Sequence, residues 1–334
     1  MMGDNTYTSA LARFEGKRVL VIGDLMLDEH VWGTVERISP EAPVMVVQVD
    51  SDPECLPGGA ANAANNIRAL GGEVSMVGVV GDDEAGQTLR RVLADEGVNV
   101  TGVLTDDKRP TTRKTRVWVS HRQGHQIVRL DRESKRRIQH ALMEHIVDYI
   151  RRESPSVDAI LVSDYAKGVV SKETLTAAIA AVTGGEKVLV SNLKPRNISR
   201  FGGVGVITMN QPEAHIASGI DIEDTGDLER AGRKLVTATQ CGGLVITRGS
   251  HGLAVFDGDG SVTHIAPIET EVYDATGAGD TTVSALTMAL ACGLNLAQAA
   301  TIANCAGGAV VRKVGVATIT PAEIATLLAQ QSGQ

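Results

Sequence analysis

The chain has 334 residues, 43% hydrophobic and 22% charged, with a formal net charge of −8 and an isoelectric point near 5.5. This is the balance of a globular α/β chain, long enough for one domain with an appendage. Aromatics at 3% and the lack of a basic field argue against nucleic acid and anionic membranes as partners, so any anionic ligand must be held by local donors.

No apolar signal segment precedes the first strand, and no run of about 18 apolar residues occurs. Cys55, Cys241, Cys292 and Cys305 form no CxxC pair and lie near no His at metal-ligand spacing. The expectation is a cytoplasmic protein with reduced, mostly buried thiols. "RVLVIGD" (Arg18–Asp24) is an apolar run closed by Gly, as a buried parallel strand is. It places Asp24 and Asp28 beyond the strand's carboxyl end, the edge where open α/β sheets bind ligands. "PGGAANAANN" (Pro57–Asn66) opens a helix rich in Ala. Gly58 and Gly59 allow close backbone approach and Asn62 offers a donor and an acceptor, which suits sugar hydroxyls as well as it suits a tight helix start.

Further apolar runs, "VSMVGVVGDD", "VDAILVSDYAKG", "EKVLVSN", "GVGVITMN" and "GGLVITRG", end in polar turns followed by helical sequence. Alternation of this kind predicts a mostly parallel sheet with helices on both faces. Two stretches break it: about 30–50 and 112–131 alternate apolar and charged residues, and "RQG" in the second suits a hairpin turn. They predict a small inserted sheet, a lid. Lys114, Arg116 and Arg129 alternate on it, either to bind a second substrate phosphate or to guard an edge against aggregation.

In "NQPE", Asn210 and Glu213 share one side of a first helical turn. They fit an Asn cap with Glu at its third position, and equally water around a Mg²⁺ held by nucleotide phosphates. "VITRGSHG" (Val245–Gly252) is a strand and a Gly-bracketed turn, weak by itself. The strongest signal is "EVYDATGAGD" (Glu271–Asp280). Its small residues Gly277, Ala278 and Gly279 let N–H groups converge where the next helix aims its positive end. Asp280, in the first turn, brings a base into that anion hole, as phosphoryl transfer requires. Asp274 is expected to steady the loop.

These motifs in this order resemble the ribokinase-like (PfkB) carbohydrate kinases over nearly the full length. "RISPEAPV", "PGGAANAANNI", "SDYAKG" and "VYDATGAGD" are similar to the bacterial D-glycero-β-D-manno-heptose-7-phosphate kinases within that family. The resemblance implies a ribokinase-like α/β fold with a β lid, Asp280 as catalytic base, and Gly277, Ala278 and Gly279 as anion hole. It implies substrate contacts from Asp28, Gly58, Gly59, Asn62 and Asp164, with Lys114, Arg116 and Arg129 on the phosphate. It implies nucleotide contacts from Lys194, Asn210, Glu213, Thr247, Arg248, Gly249, Gly252 and Asn304, with ATP, Mg²⁺ reached by Glu213 through water, and in some relatives a monovalent cation behind Asp274. Paired lids would make a homodimer. The chain is read as a single kinase domain, 1–334, without the nucleotidyltransferase of bifunctional relatives. One departure stands out: "VSNLKPRN" (Val190–Asn197) keeps Lys194 but has Ser191 and Asn192 where the family usually has Asp. That leaves a catalytically inactive sugar- or nucleotide-binding regulator, or a kinase for another sugar, as alternatives. A dinucleotide-binding oxidoreductase would need GxGxxG where this chain has "GDLMLD".

Overall fold

A computed structural model describes residues 2–119, 125–199, 202–203 and 205–332; the expected RQG turn lies outside them. In chain order the first strands are β1 (Arg18–Gly23), β2 (Leu25–Ile38), β3 (Met45–Val49), β4 (Glu54–Gly59), β5 (Glu73–Gly81), β6 (Asn99–Asp106), β7 (Thr112–Val119) and β8 (His125–Arg132). They are followed by β9 (Ala159–Ser163), β10 (Val188–Asn192), β11 (Val206–Asn210), β12 (Gly243–Thr247), β13 (Leu253–Asp257) and β14 (Val262–Ile265). The helices are α1 (Met2–Ala12), α2 (Ala60–Ala69), α3 (Glu84–Asp95), α4 (His140–Glu153), α5 (Lys172–Val182), α6 (Pro195–Ile198), α7 (Gln211–Ser218), α8 (Thr225–Thr239), α9 (Ala278–Ala291), α10 (Leu296–Val310) and α11 (Pro321–Ser332).

The main sheet has the order β14-β13-β12-β11-β10-β9-β1-β5-β6, parallel from β6 to β12 with an antiparallel edge of β13 and β14. Its central strands read as unbroken apolar runs because both faces are covered. Val19, Val21 and Leu161 share one core with residues of α2, α9 and α10. Leu20, Ile22 and Val162 share the other with residues of α4, α5 and α8. Each such Leu, Ile or Val buried contributes about 1.5–3 kcal/mol. The Ala-rich faces of α2 and α9 let these helices approach closely enough for the Ser284 hydroxyl to donate to the Ala63 carbonyl at 3.0 Å. The four cysteines are unpaired, three of them buried. Among the described residues no helix is long and apolar enough to cross a membrane.

The second sheet is the expected lid, in the order β3-β2-β7-β8, and it has one strand more than expected. "PGG" closes β4, which runs antiparallel to β2 with Gly59 opposite Leu25 and Asp28 opposite Leu56. Only then does α2 begin. Gly59 has φ +59, and a Cβ there would lie 2.8 Å from the Asp24 carbonyl oxygen, so the strand-to-helix corner needs glycine. β2 and β7 pair in parallel, with Asp28 opposite Lys114 and His30 opposite Arg116. β2 starts buried at Leu25–Leu27 and ends exposed at Val35 and Ile38, so one strand carries the lid out of the body.

Candidate active site

α9 supplies the centre. Gly277 caps it with φ +80, and a Cβ there would fall 2.8 Å from Asn62 Nδ2. Among the described residues the N–H groups of Gly277, Gly279 and Asp280 have no acceptor, whereas that of Ala278 donates to the Ala275 carbonyl at 3.2 Å. Ala278 thus closes the turn, and the N–H groups left without an acceptor are those of the two glycines and Asp280. Asp274 steadies this loop, accepting from Thr276 N at 2.8 Å and from Gly315 N at 2.9 Å.

The Asp280 carboxylate is buried and doubly anchored. Oδ2 accepts from Asn62 Nδ2 at 2.8 Å and Oδ1 from the Tyr165 hydroxyl at 2.5 Å. Asn62 is oriented in turn by Asn66, whose amide donates to Asn62 Oδ1 at 3.0 Å while accepting from Thr281 at 2.8 Å. Burial raises the Asp280 carboxyl to about 6, with the two hydrogen bonds opposing that rise. A base in this range is ionised at neutral pH and still basic enough to take a hydroxyl proton.

Tyr165, which the sequence reading did not single out, joins this site. "SDYAKG" is visible, but nothing local says that its ring meets a helix more than a hundred residues away. Lys114 and Lys194 place their ammonium groups 5.7 and 5.3 Å from that ring's centroid. Its loop is pinned by Asp24, buried, which accepts from the N–H groups of Tyr165, Lys167 and Val169, each at 2.9 Å. Both Asp24 oxygens are thus committed to backbone. Tyr165→Phe removes a bond that holds the Asp280 carboxyl down, so the acid limb of kcat/KM is expected to move to higher pH with the fold retained. A pH–rate profile for both proteins checks this; an unmoved limb would leave the hydroxyl with no part in tuning the base.

Asp164 lies beneath the site with its carboxylate engaged. Fully buried, it accepts from Ala166 N at 2.7 Å, Lys194 N at 3.0 Å and Asn197 Nδ2 at 2.7 Å. Through these bonds it ties the end of β9 to the turn after β10. That turn contains the departure from the family pattern. Ser191 lies buried with its hydroxyl unpartnered, and Asn192 gives its carbonyl to Asp164 N at 2.9 Å.

On the lid side, Asp28 and Arg116 are buried and paired at 2.8 Å. Arg129 pairs with Asp131 at 2.8 Å in an exposed position. Both arginines thus have a carboxylate partner: Arg116 across the β2–β7 pairing and Arg129 two residues along its own strand. Lys114 remains, half-buried over Tyr165, and burial holds its ammonium below the usual lysine range. His30 and Trp118, passed over in the sequence, sit in the same sheet with His30 Nε2 and Trp118 Nε1 buried and unpartnered. Gly58 packs against Asp28, a Cβ there falling 2.7 Å from Oδ2.

On the other flank, Asn210 caps α7 by accepting from Glu213 N at 2.8 Å, and Glu213 returns the bond to Asn210 N at 3.0 Å. Glu213 also holds Lys194 Nζ at 2.5 Å. Both its oxygens are engaged, and among the described residues no cluster of three His, Cys, Asp or Glu could hold a metal. A divalent ion at this flank fits only if phosphate oxygens supply most of its ligands and Glu213 acts through water. Thr247, Arg248, Gly249 and Gly252 form the turn from β12 to β13, with φ +55 at Gly249 and +74 at Gly252. Arg248 Nε is buried and unpartnered, a donor available at this strand end. Asn304 on α10 gives its amide to the Ala266 carbonyl at 2.8 Å.

A model of the pfkB family carbohydrate kinases matches residues 17–323. Among curated proteins, Bifunctional protein HldE of Geobacter metallireducens is 46% identical over 317 residues, covering 95% of this chain and 64% of that protein. HldE of Helicobacter hepaticus is 42% identical over 308 residues, 92% of this chain and 63% of that protein. The chain thus spans less than two thirds of the length of these relatives. Among solved structures, phosphofructokinase-2 from Escherichia coli in complex with substrates and products superposes with a TM-score of 0.77 at 20% identity, covering 95% of this chain and 99% of that one. Arabidopsis thaliana ribokinase complexed with ribose and ATP gives 0.71 at 18% identity, covering 94% and 99%. At these identities the likeness establishes the fold, the ribokinase-like α/β sheet with a second small sheet.

Proposed function

The chain belongs to the pfkB family of carbohydrate kinases and is an ATP-dependent sugar kinase, and from that premise we propose that it phosphorylates the anomeric hydroxyl of D-glycero-β-D-manno-heptose 7-phosphate. The product would be the 1,7-bisphosphate, a precursor of the lipopolysaccharide core. The observation that carries the chemistry is the buried Asp280 carboxylate beside three free N–H groups at the start of α9. Asp280 takes the proton of the attacking hydroxyl. The N–H groups of Gly277, Gly279 and Asp280 face the charge that gathers on the transferring group. Asn62 and Tyr165 hold the carboxylate so that only its free lone pairs meet the acceptor. Asp28 and Gly59 are the proposed sugar contacts, with Lys114 the lid cation best placed for a phosphate. Lys194, the β12–β13 turn and the Asn210 flank are proposed for ATP, which bound with Mg²⁺ supplies the phosphoryl group; a monovalent cation beside the Asp274 loop is part of the same reading.

The choice of sugar is supported by identity of up to 46% to HldE proteins together with "RISPEAPV" and "SDYAKG". A homodimer is supported by the lid, where Ile38, Met45, Val49 and Leu130 are exposed and apolar, a surface suited to a second copy, and the kinase is read as cytoplasmic. The test is competition at equal concentration among heptose 7-phosphate, fructose 6-phosphate and ribose, with ADP release and product mass read together. Heptose 7-phosphate is expected to turn over fastest. Preference for fructose 6-phosphate would discard the heptose, faster turnover of ribose would discard phosphate recognition, and no turnover of any would favour a non-catalytic binder.

A further inference from the structure

A sizeable cleft lies away from Asp280. A cavity of about 880 Å³ opens between the start of α4, the start of α5 and the loop after β9. Six cations line it: Lys135, Arg136, Arg137, Lys167, Lys172 and Arg196. Only two carboxylates, Glu133 and Glu173, accompany them, in a chain whose net charge is −8. A cleft lined by one sign of charge focuses its field and concentrates counter-ions, whatever the sign of the whole protein.

The cations differ in how they are held. Lys167 bonds the Glu133 carboxylate and Arg196 bonds the Ala166 carbonyl, so these two are fixed in the wall. Lys135, Arg137 and Lys172 are exposed and form no ion pair among the described residues. The start of α5, an eleven-residue helix, adds its positive dipole end on the same side. Gathering these charges without an anion is unfavourable, and nothing in the transfer centre uses them.

We propose that this cleft is a second anion site that binds a phosphorylated small molecule through its phosphoryl group, by charge-assisted bonds from Lys135, Arg137 and Lys172. The site is coupled to the transfer centre by a short path. Ala166 and Lys167 line the cleft, and Tyr165, the residue before them, holds the base; Asp24 clamps the N–H groups of Tyr165 and Lys167 on one carboxylate oxygen. The proposal does not depend on which sugar the kinase accepts.

The phosphoryl group could be the distal phosphate of the acceptor or that of a separate effector, and the experiment distinguishes them. The full chain is titrated with inorganic phosphate at low ionic strength by calorimetry, alongside the Arg137→Ala/Lys172→Ala variant and, as an independent change, Lys135→Glu. All three substitutions lie at exposed positions, and ATP affinity checks that the variants are folded. Saturable phosphate binding is expected in the natural chain, weakened at least tenfold in both variants with ATP affinity unchanged. If phosphate then competes with the sugar phosphate and the variants raise KM for it alone, the acceptor's own phosphate is the ligand. If phosphate binds without competition, the ligand is an effector. No saturable binding, or equal affinity in all three proteins, overturns the site; this readout stays valid if the heptose assignment fails.

Discussion

Asp280→Asn is expected to lower kcat by a factor on the order of 10²–10⁴ and at the same time to raise the stability of the fold. The loss follows from removing the base while leaving the geometry. The introduced amide can still accept from Asn62 through its carbonyl oxygen, and its NH₂ group can donate to the Tyr165 oxygen, so both bonds at 2.8 and 2.5 Å keep a partner. The gain follows from linkage. Burial raises the carboxyl from 3.8 to about 6, so the folded state prefers the protonated acid and is destabilised once the group must ionise. Below about pH 4 the acid is neutral in both states and the penalty vanishes; it grows through the interval and is complete above about pH 6. A shift of this size corresponds to roughly 3 kcal/mol as an upper measure. The neutral amide escapes it. Melting curves near pH 8 and near pH 4 should therefore show the variant ahead only at the higher pH, while nucleotide affinity stays unchanged. Turnover at the natural rate would remove Asp280 from the role of base, and a stability gap independent of pH would mean that its ionisation is not what destabilises the fold.

The same residue shows how far the sequence could be read. The apolar runs of β1, β5 and β9–β12 are legible because a doubly covered strand needs apolar residues at every position. "DATGAGD" is legible because few folds need so many small residues before a helix. What escaped is long-range. Asp24 reaches Tyr165, Lys167 and Val169 across more than 140 positions, and Asp280 reaches Tyr165 across 115. No periodicity encodes such a contact. β4 escaped because its Gly58 and Gly59 serve both a strand end and a helix start, and the local signals for the two coincide. The buried partner of Arg116 escaped for a different reason: charge alternation shows which face a side chain takes, but its cross-strand neighbour is set by register, which puts His30 across from Arg116 and Asp28 one step away on the same face.

That pairing carries the second large effect. Arg116→Ala is expected to lower unfolding free energy by about 3–5 kcal/mol, the penalty for stranding one partner of a buried ion pair. Both side chains are less than a tenth exposed, and Arg116 Nη1 lies 2.8 Å from Asp28 Oδ1. In the variant the Asp28 carboxylate stays buried between β4 and β7, with Gly58 too close to let it swing aside. Sugar-dependent activity should fall as well, since Asp28 is a proposed sugar contact and its carboxylate would lose its orientation. The two losses separate in a double variant. Asp28→Asn with Arg116→Met leaves a neutral pair of similar volume, and replacing both charges removes the stranded one, so most of the stability should return. Activity should not, because an amide is a poorer acceptor than a carboxylate for the sugar hydroxyls Asp28 is proposed to bind. Denaturant curves and KM for sugar and for ATP on the natural, single and double variants decide it. If the double variant is as unstable as the single, the destabilisation comes from lost packing of the Arg116 stem and not from charge. If it recovers both stability and sugar turnover, Asp28 serves the lid alone, and recognition of the sugar must come from Asn62, Gly59 and the unpartnered nitrogens of His30 and Trp118.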